Sequence, residues 1–162
     1  MPSEIKQFPE QRNVYDQLKR THEALKTKDY EAAGKCLEIV EDLDKDNAEA
    51  LFLKSGLYAA VAMKCKGDDA ITLRAEGIGY LLASANLNYS FAQLSLAKLF
   101  EEGVPDIALI QKSYKDAYIW AYLALDNGES IKTYVNKLRA KLTNEELIDA
   151  QEQIREFNSF FH

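Results

Sequence analysis

Ser90-Phe91-Ala92-Gln93-Leu94-Ser95-Leu96-Ala97-Lys98-Leu99-Phe100-Glu101-Glu102-Gly103 and, beyond a loop, Asp116-Ala117-Tyr118-Ile119-Trp120-Ala121-Tyr122-Leu123-Ala124 with Asn127-Gly128 decide the fold. Small and large apolar residues recur at steps of three and four in both halves. On a helix that spacing gathers them on one face, so the two halves read as helices packed against each other.

Further helices follow on either side of this pair. Downstream, Ser130 is placed to cap a seventh helix reaching about Lys141. Thr143-Asn144-Glu145-Glu146 is a capping box that opens an eighth helix, Asn144 to about Asn158. Upstream, a fourth helix runs from about Asp69 to Asn86. Its Gly77 and Gly79 each cost helix propensity of about 1 kcal/mol and mark close helix contact. A third helix spans Ala48 to about Lys64, with Asp46 and Glu49 as cap and reciprocal carboxylate. The second starts at Tyr30 and turns Ala33, Leu37, Val40 and, one turn on, Leu43 or the neighbourhood of Asp44 inward, with Glu31, Lys35, Glu38 and Glu41 toward water. The first begins near Arg12 and buries Val14, Leu18, Thr21 and Leu25, after an irregular lead-in over residues 1–11. The loop from Gly103 to Ser113, with Val104, Ile107, Leu109 and Ile110, either folds back on its neighbour or serves as a contact loop.

The pairs repeat. Aligning Ala50 with Ala92 places Ser55 on Ala97 and Leu57 on Leu99, and aligning Tyr80 with Trp120 places Ser84 on Ala124. Two helices in a period of about 34 to 42 residues are the mark of a stacked solenoid. The expected fold is all-α, a right-handed superhelix of seven to eight helices. Its repeats cover about 13–47, 48–89 and 90–129, and a closing pair covers 130–160, within one domain over 12–162.

Composition narrows the function. The 162 residues are 47% hydrophobic and 28% charged with 7 Gly and 3 Pro, the balance of a folded helical chain with a real core. A net charge of -6 argues against nucleic acid or an anionic membrane as partner, since either needs a basic face. Met1 to Pro9 lacks the apolar run of a secretory leader, and no segment approaches the length of a membrane span, so a soluble, cytoplasmic chain is expected. Cys36 and Cys65 have no metal or redox spacing and are expected to be reduced thiols buried in helices. His22 and His162 are the only histidines and stand far apart, which leaves a histidine metal site without support. Asp42, Asp44 and Asp46 lack the glycine and distal glutamate of a calcium loop. No catalytic constellation is visible, and neither an enzyme nor a cofactor is expected.

Asp29-Tyr30-Glu31-Ala32-Ala33 and Leu43-Asp44-Lys45-Asp46-Asn47-Ala48-Glu49-Ala50 resemble the junction between two tetratricopeptide repeats, with Lys45 where that family usually has proline and Lys54 where it usually has an apolar residue. Ala92-Gln93, Leu96-Ala97, Leu99-Phe100 and Gly103-Val104, followed by Asp116-Ala117, Trp120, Leu123-Ala124 and Asn127-Gly128, resemble the longer Sel-one-like repeat. The segment Lys141 to Leu147 with Ala150-Gln151 is similar to the helix that closes many such arrays. The resemblance implies a scaffold or adaptor in which the first helix of each pair lines a concave groove. Carried onto this chain, the groove positions are Tyr15, Lys19, His22, Glu49, Phe52, Phe91, Lys98 and Tyr134. Phe52 and Phe91 have packing between repeats as the competing reading. The lysine and asparagine pattern that clamps a peptide carboxylate is missing, with Phe52 and Gly56 in its place.

The expected function is therefore non-enzymatic binding of another protein or peptide. The alternative is an inhibitor or immunity-type protein directed at one folded partner. Phe157, Phe160 and Phe161 crowd the last residues and either cap the stack or pack against a second copy, as in a homodimer.

Overall fold

The computed structural model describes residues 9–161. The lead-in positions 1–8 and His162 lie outside them. Eight helices follow in order: α1 (Pro9–Lys26), α2 (Tyr30–Leu43), α3 (Ala48–Ala62), α4 (Gly67–Asn86), α5 (Ser90–Glu102), α6 (Tyr114–Asp126), α7 (Lys132–Arg139) and α8 (Asn144–Ser159). No strand occurs among the described residues.

Several boundaries differ from the sequence reading, each for a local reason. Helix α1 starts at Pro9, so residues 9–11 are helical and not lead-in. Proline suits a first helical position, where its missing N–H would have no intrahelical partner. The cap of α3 is Asn47, whose side chain accepts from the Ala50 N–H at 2.9 Å and donates to Asp44 Oδ2 at 2.9 Å. Asp46 stands one residue too early for that role, and Met63 and Lys64 belong to the turn beyond α3. Helix α4 opens at Gly67 instead of Asp69, with a left-handed φ of 62° that glycine adopts without strain. Ser130 does not cap α7. Ile131 occupies that position and makes no side-chain capping bond. The box at α8 forms in full: Glu146 N–H donates to Thr143 Oγ1 at 3.2 Å, and Thr143 N–H donates to Glu146 Oε2 at 2.8 Å.

The described residues divide into two compact units, with the boundary between Ser84 and Ala85. In the first, α1 packs on α2, α2 on α3, and α1 on α3. Leu18 and Ala24 of α1 meet Ala33, Leu37 and Val40 of α2 and Ala50, Leu53 and Leu57 of α3 in one core. The inward set expected on α2 is buried except Leu43, which is 40% exposed at the helix end. Thr21 is fully buried, and its hydroxyl donates to the Gln17 carbonyl at 2.8 Å, which satisfies it within the helix. Gly77 is where α4 comes close to α3: a Cβ there would lie 3.1 Å from Tyr58 Cβ and 3.3 Å from the Ser55 carbonyl oxygen. Gly79 faces open space, so only one of the two glycines marks contact.

In the second unit α6 is central, packed by α5, α7 and α8. Ala92, Leu96 and Ala97 of α5 and Ala117, Ala121 and Ala124 of α6 are fully buried, the stripe that the periodicity implied. Gln93, also fully buried, donates to Asn88 Oδ1 at 3.0 Å and the Ala85 carbonyl at 3.3 Å. The turn before α5 is tied to the turn after α6: Asn127 Nδ2 donates to the Asn88 carbonyl, and Ser90 Oγ donates to Glu129 Oε1. Trp120 is half-buried and meets Phe157 edge-on, ring centroids 6.0 Å apart. The loop after α5 folds on itself. Val104 N–H donates to the Ile110 carbonyl at 2.8 Å, and Ile107 and Ile110 are buried while Leu109 is exposed.

Cys36 and Cys65 are free and half-buried. Cys65 lies between α3 and α4 and not in a helix, a departure from the sequence reading.

Candidate functional site

Tyr15, Lys19 and His22 follow at steps of four and three along α1, and Glu49 and Phe52 at a step of three along α3, so each set shares one helix face. The structure joins the two faces. His22 Nε2 and Glu49 Oε1 are 2.8 Å apart, with side chains 52% and 37% exposed. Lys19 is exposed and Tyr15 half-buried beside them. Phe52 is half-buried and packs against the core of this unit, which favours its packing reading.

In the second unit Phe91 and Lys98 are exposed on α5. Phe91 is 52% exposed, and its ring lies 5.7 Å from that of Tyr89. Tyr134 of α7 donates its hydroxyl to Glu101 Oε2 of α5 at 2.7 Å, and Lys137 Nζ reaches Glu101 Oε1 at 3.3 Å. The Tyr134 hydrogen bond, with help from Lys137, holds the Glu101 carboxyl below the usual carboxylate range. Burial and the same hydrogen bond push the Tyr134 phenol well above its ordinary value. Glu101 stands in the run quoted at the outset but not among the groove candidates; its sequence signal is that it shares one face of α5 with Lys98, three residues before it.

Lys54, where the repeats that the sequence resembles usually carry an apolar residue, has two partners. Its ammonium reaches Glu41 Oε2 at 3.1 Å and lies 4.5 Å from the Tyr80 ring centroid. Two hollows are lined by none of the candidate residues of the sequence. One is apolar and lined by Tyr30, Leu57, Tyr58, Val61 and Leu73 in the first unit. The other, between α6 and α8, is of mixed polarity and lined by Tyr122, Asp126, Gln151, Ile154, Arg155 and Asn158. Among the described residues no group of three or more His, Cys, Asp or Glu is placed to hold a metal, and no helix is long and apolar enough to cross a membrane.

Comparisons with protein-family models, with curated proteins and with solved structures find no match to this chain. The resemblance to helical repeats therefore rests on the residues quoted for it.

Proposed function

We propose that the chain is a non-enzymatic protein-interaction module of the helical-repeat kind, its helix pairs forming a right-handed superhelix. In this reading the face shared by α1 and α3 takes an extended peptide or a helix of another protein. One observation supports it: the His22–Glu49 contact of 2.8 Å, which links α1 to α3 with both side chains partly exposed. A segment laid along that face meets the Tyr15 ring, the Lys19 ammonium and a paired acid and base. That mixture offers apolar area together with directional polar contacts. Binding of this kind is in the micromolar range, roughly -8 kcal/mol.

The test is affinity capture from native extract with quantitative mass spectrometry, comparing wild type with a Tyr15→Ala, Lys19→Glu variant of equal circular dichroism. Both positions avoid the core, unlike Phe52. A partner captured by wild type and lost from the variant supports the reading. A partner retained equally by both removes recognition from this face.

A second, separable part of the reading is self-association through the C-terminal aromatics. Phe157 is engaged within the chain, 6.0 Å from Trp120 and 5.1 Å from Phe161, whereas Phe160 is 84% exposed. Light scattering on wild type and Phe160→Glu decides it: a wild-type dimer that the variant abolishes supports the contact, and a monomer in both removes it.

A further inference from the structure

Within the second unit, three donor side chains come together around one ring. Tyr114 is the first residue of α6, and its ring packs against the core of this unit, which restricts where the phenol points. Lys112, in the loop before α6, carries its ammonium 5.3 Å from that ring's centroid, and Lys141, in the turn after α7, lies 4.7 Å from it. The backbone is held on both sides: Ser113 N–H donates to the Phe100 carbonyl at 2.8 Å, and Lys141 N–H to the Leu138 carbonyl at 3.0 Å.

Neighbouring cations are already neutralised. Lys115 pairs with Asp149 at 2.7 Å, and Lys137 with Glu101 at 3.3 Å. Lys112 and Lys141 have no carboxylate within ion-pair distance among the described residues. The field of Lys141 reaches Glu101, but the oxygens of Glu101 are taken by Tyr134 and Lys137. Hydrogen bonding from Lys112, and then the charges of Lys112 and Lys141, hold the Tyr114 phenol below its ordinary ionisation range. Two like charges beside one phenol repel each other, and an anion between them would relieve that repulsion.

We propose that Lys112, Tyr114 and Lys141 form a binding site for a phosphate group. A phosphate dianion matches two ammonium charges and presents separate oxygens to each of them and to the phenolic O–H. A carboxylate carries half that charge and one oxygen fewer. Because the donors sit on backbone that is already hydrogen-bonded, binding orders the lysine side chains and not the loops that carry them. Free phosphate and a phosphorylated side chain share this chemistry.

The experiment is a set of amide NMR titrations of the full chain at constant ionic strength. The probes are sodium phosphate, a capped phosphoserine tripeptide, its unphosphorylated form, and sodium acetate. Saturable shifts at Lys112–Asp116 and Lys141–Leu142 with phosphate or the phosphopeptide are expected. Lys112→Gln and Lys141→Gln each weaken them about tenfold, and Lys141→Arg retains them. Both lysines are exposed, so circular dichroism of the variants should match wild type. Phosphate binding as tightly as the phosphopeptide assigns the small ion as ligand, and a tighter phosphopeptide assigns a phosphorylated chain. No saturable shift, equal affinity for acetate, or unchanged affinity in the glutamine variants overturns the proposal.

Discussion

Gly77 and Gly79 occupy the same helix two residues apart, and the structure assigns them opposite responses to the same mutation. A methyl group at Gly79 meets nothing within 4 Å. Gly79→Ala therefore collects the helix-propensity gain alone, about 0.5–1 kcal/mol of stabilisation. At Gly77 the same gain is opposed, because the new Cβ would sit 3.1 Å from Tyr58 Cβ and 3.3 Å from the Ser55 carbonyl oxygen. Both obstacles belong to the body of α3 and not to the tip of a flexible side chain. Relief therefore requires the two helices to separate, which also disturbs the Tyr58–Tyr80 ring contact at 5.1 Å. Overpacking of this kind costs about 1–3 kcal/mol. Gly77→Ala is thus expected to leave stability unchanged or lower it by up to about 2.5 kcal/mol.

The comparison between the two variants cancels the propensity term and isolates the contact at about 1–3 kcal/mol. In a chain of this size that corresponds to a Tm difference of about 2–4 °C per kcal/mol. Urea unfolding followed by far-ultraviolet circular dichroism, with equal slopes for both variants, gives the difference directly. If Gly77→Ala gains as much as Gly79→Ala, α4 does not approach α3 through Gly77 and the packing argument fails.

Gly103→Ala should destabilise by about 2 kcal/mol or more in the same assay, since φ is 75° and a Cβ would lie 2.9 Å from the Lys112 backbone nitrogen. A stable variant would mean that the loop can re-form around an added side chain. Thr143→Ala removes half of the α8 capping box and should cost about 1 kcal/mol, whereas Ser130→Ala, at a position that caps nothing, should be neutral. Comparable losses at both would contradict the assigned start of α7. Glu101→Gln addresses pH. The folded carboxyl ionises below its ordinary 4.5, so its contribution is fully present above that value and fades as pH falls through the lower folded value. The wild-type advantage over Glu101→Gln in urea should therefore be largest near neutrality and shrink below pH 4.5. An advantage that persists unchanged into that acid range would rule out the Tyr134–Glu101–Lys137 cluster as its source.

The parts of this fold legible in the sequence are those whose cause lies within a few residues or is repeated. The capping box at Thr143 needs only Glu146 three positions on, and the α5–α6 stripe is written in two facing runs of alanine and leucine. Where two neighbours could serve the same local end, sequence alone does not choose: Asp46 and Asn47 are both competent caps, and the first residue of α3 selects Asn47. Gly77 and Gly79 cost the same propensity in isolation, and only the approach of α3 tells them apart. The candidate site follows the same division. Tyr15, Lys19 and His22 share a face by helical arithmetic, but the partner of His22 stands 27 residues away and is chosen by how α1 rests on α3. Glu101 reads in sequence as a polar helix end, yet Tyr134 and Lys137 make it the centre of a cluster from 33 and 36 residues downstream. Lys112 and Lys141 belong to different connections, and only the folding of α7 beside α6 brings both to Tyr114. Chemistry assembled from separate connections of an all-helical chain therefore leaves no motif in the sequence, because each connection supplies a single ordinary lysine or tyrosine.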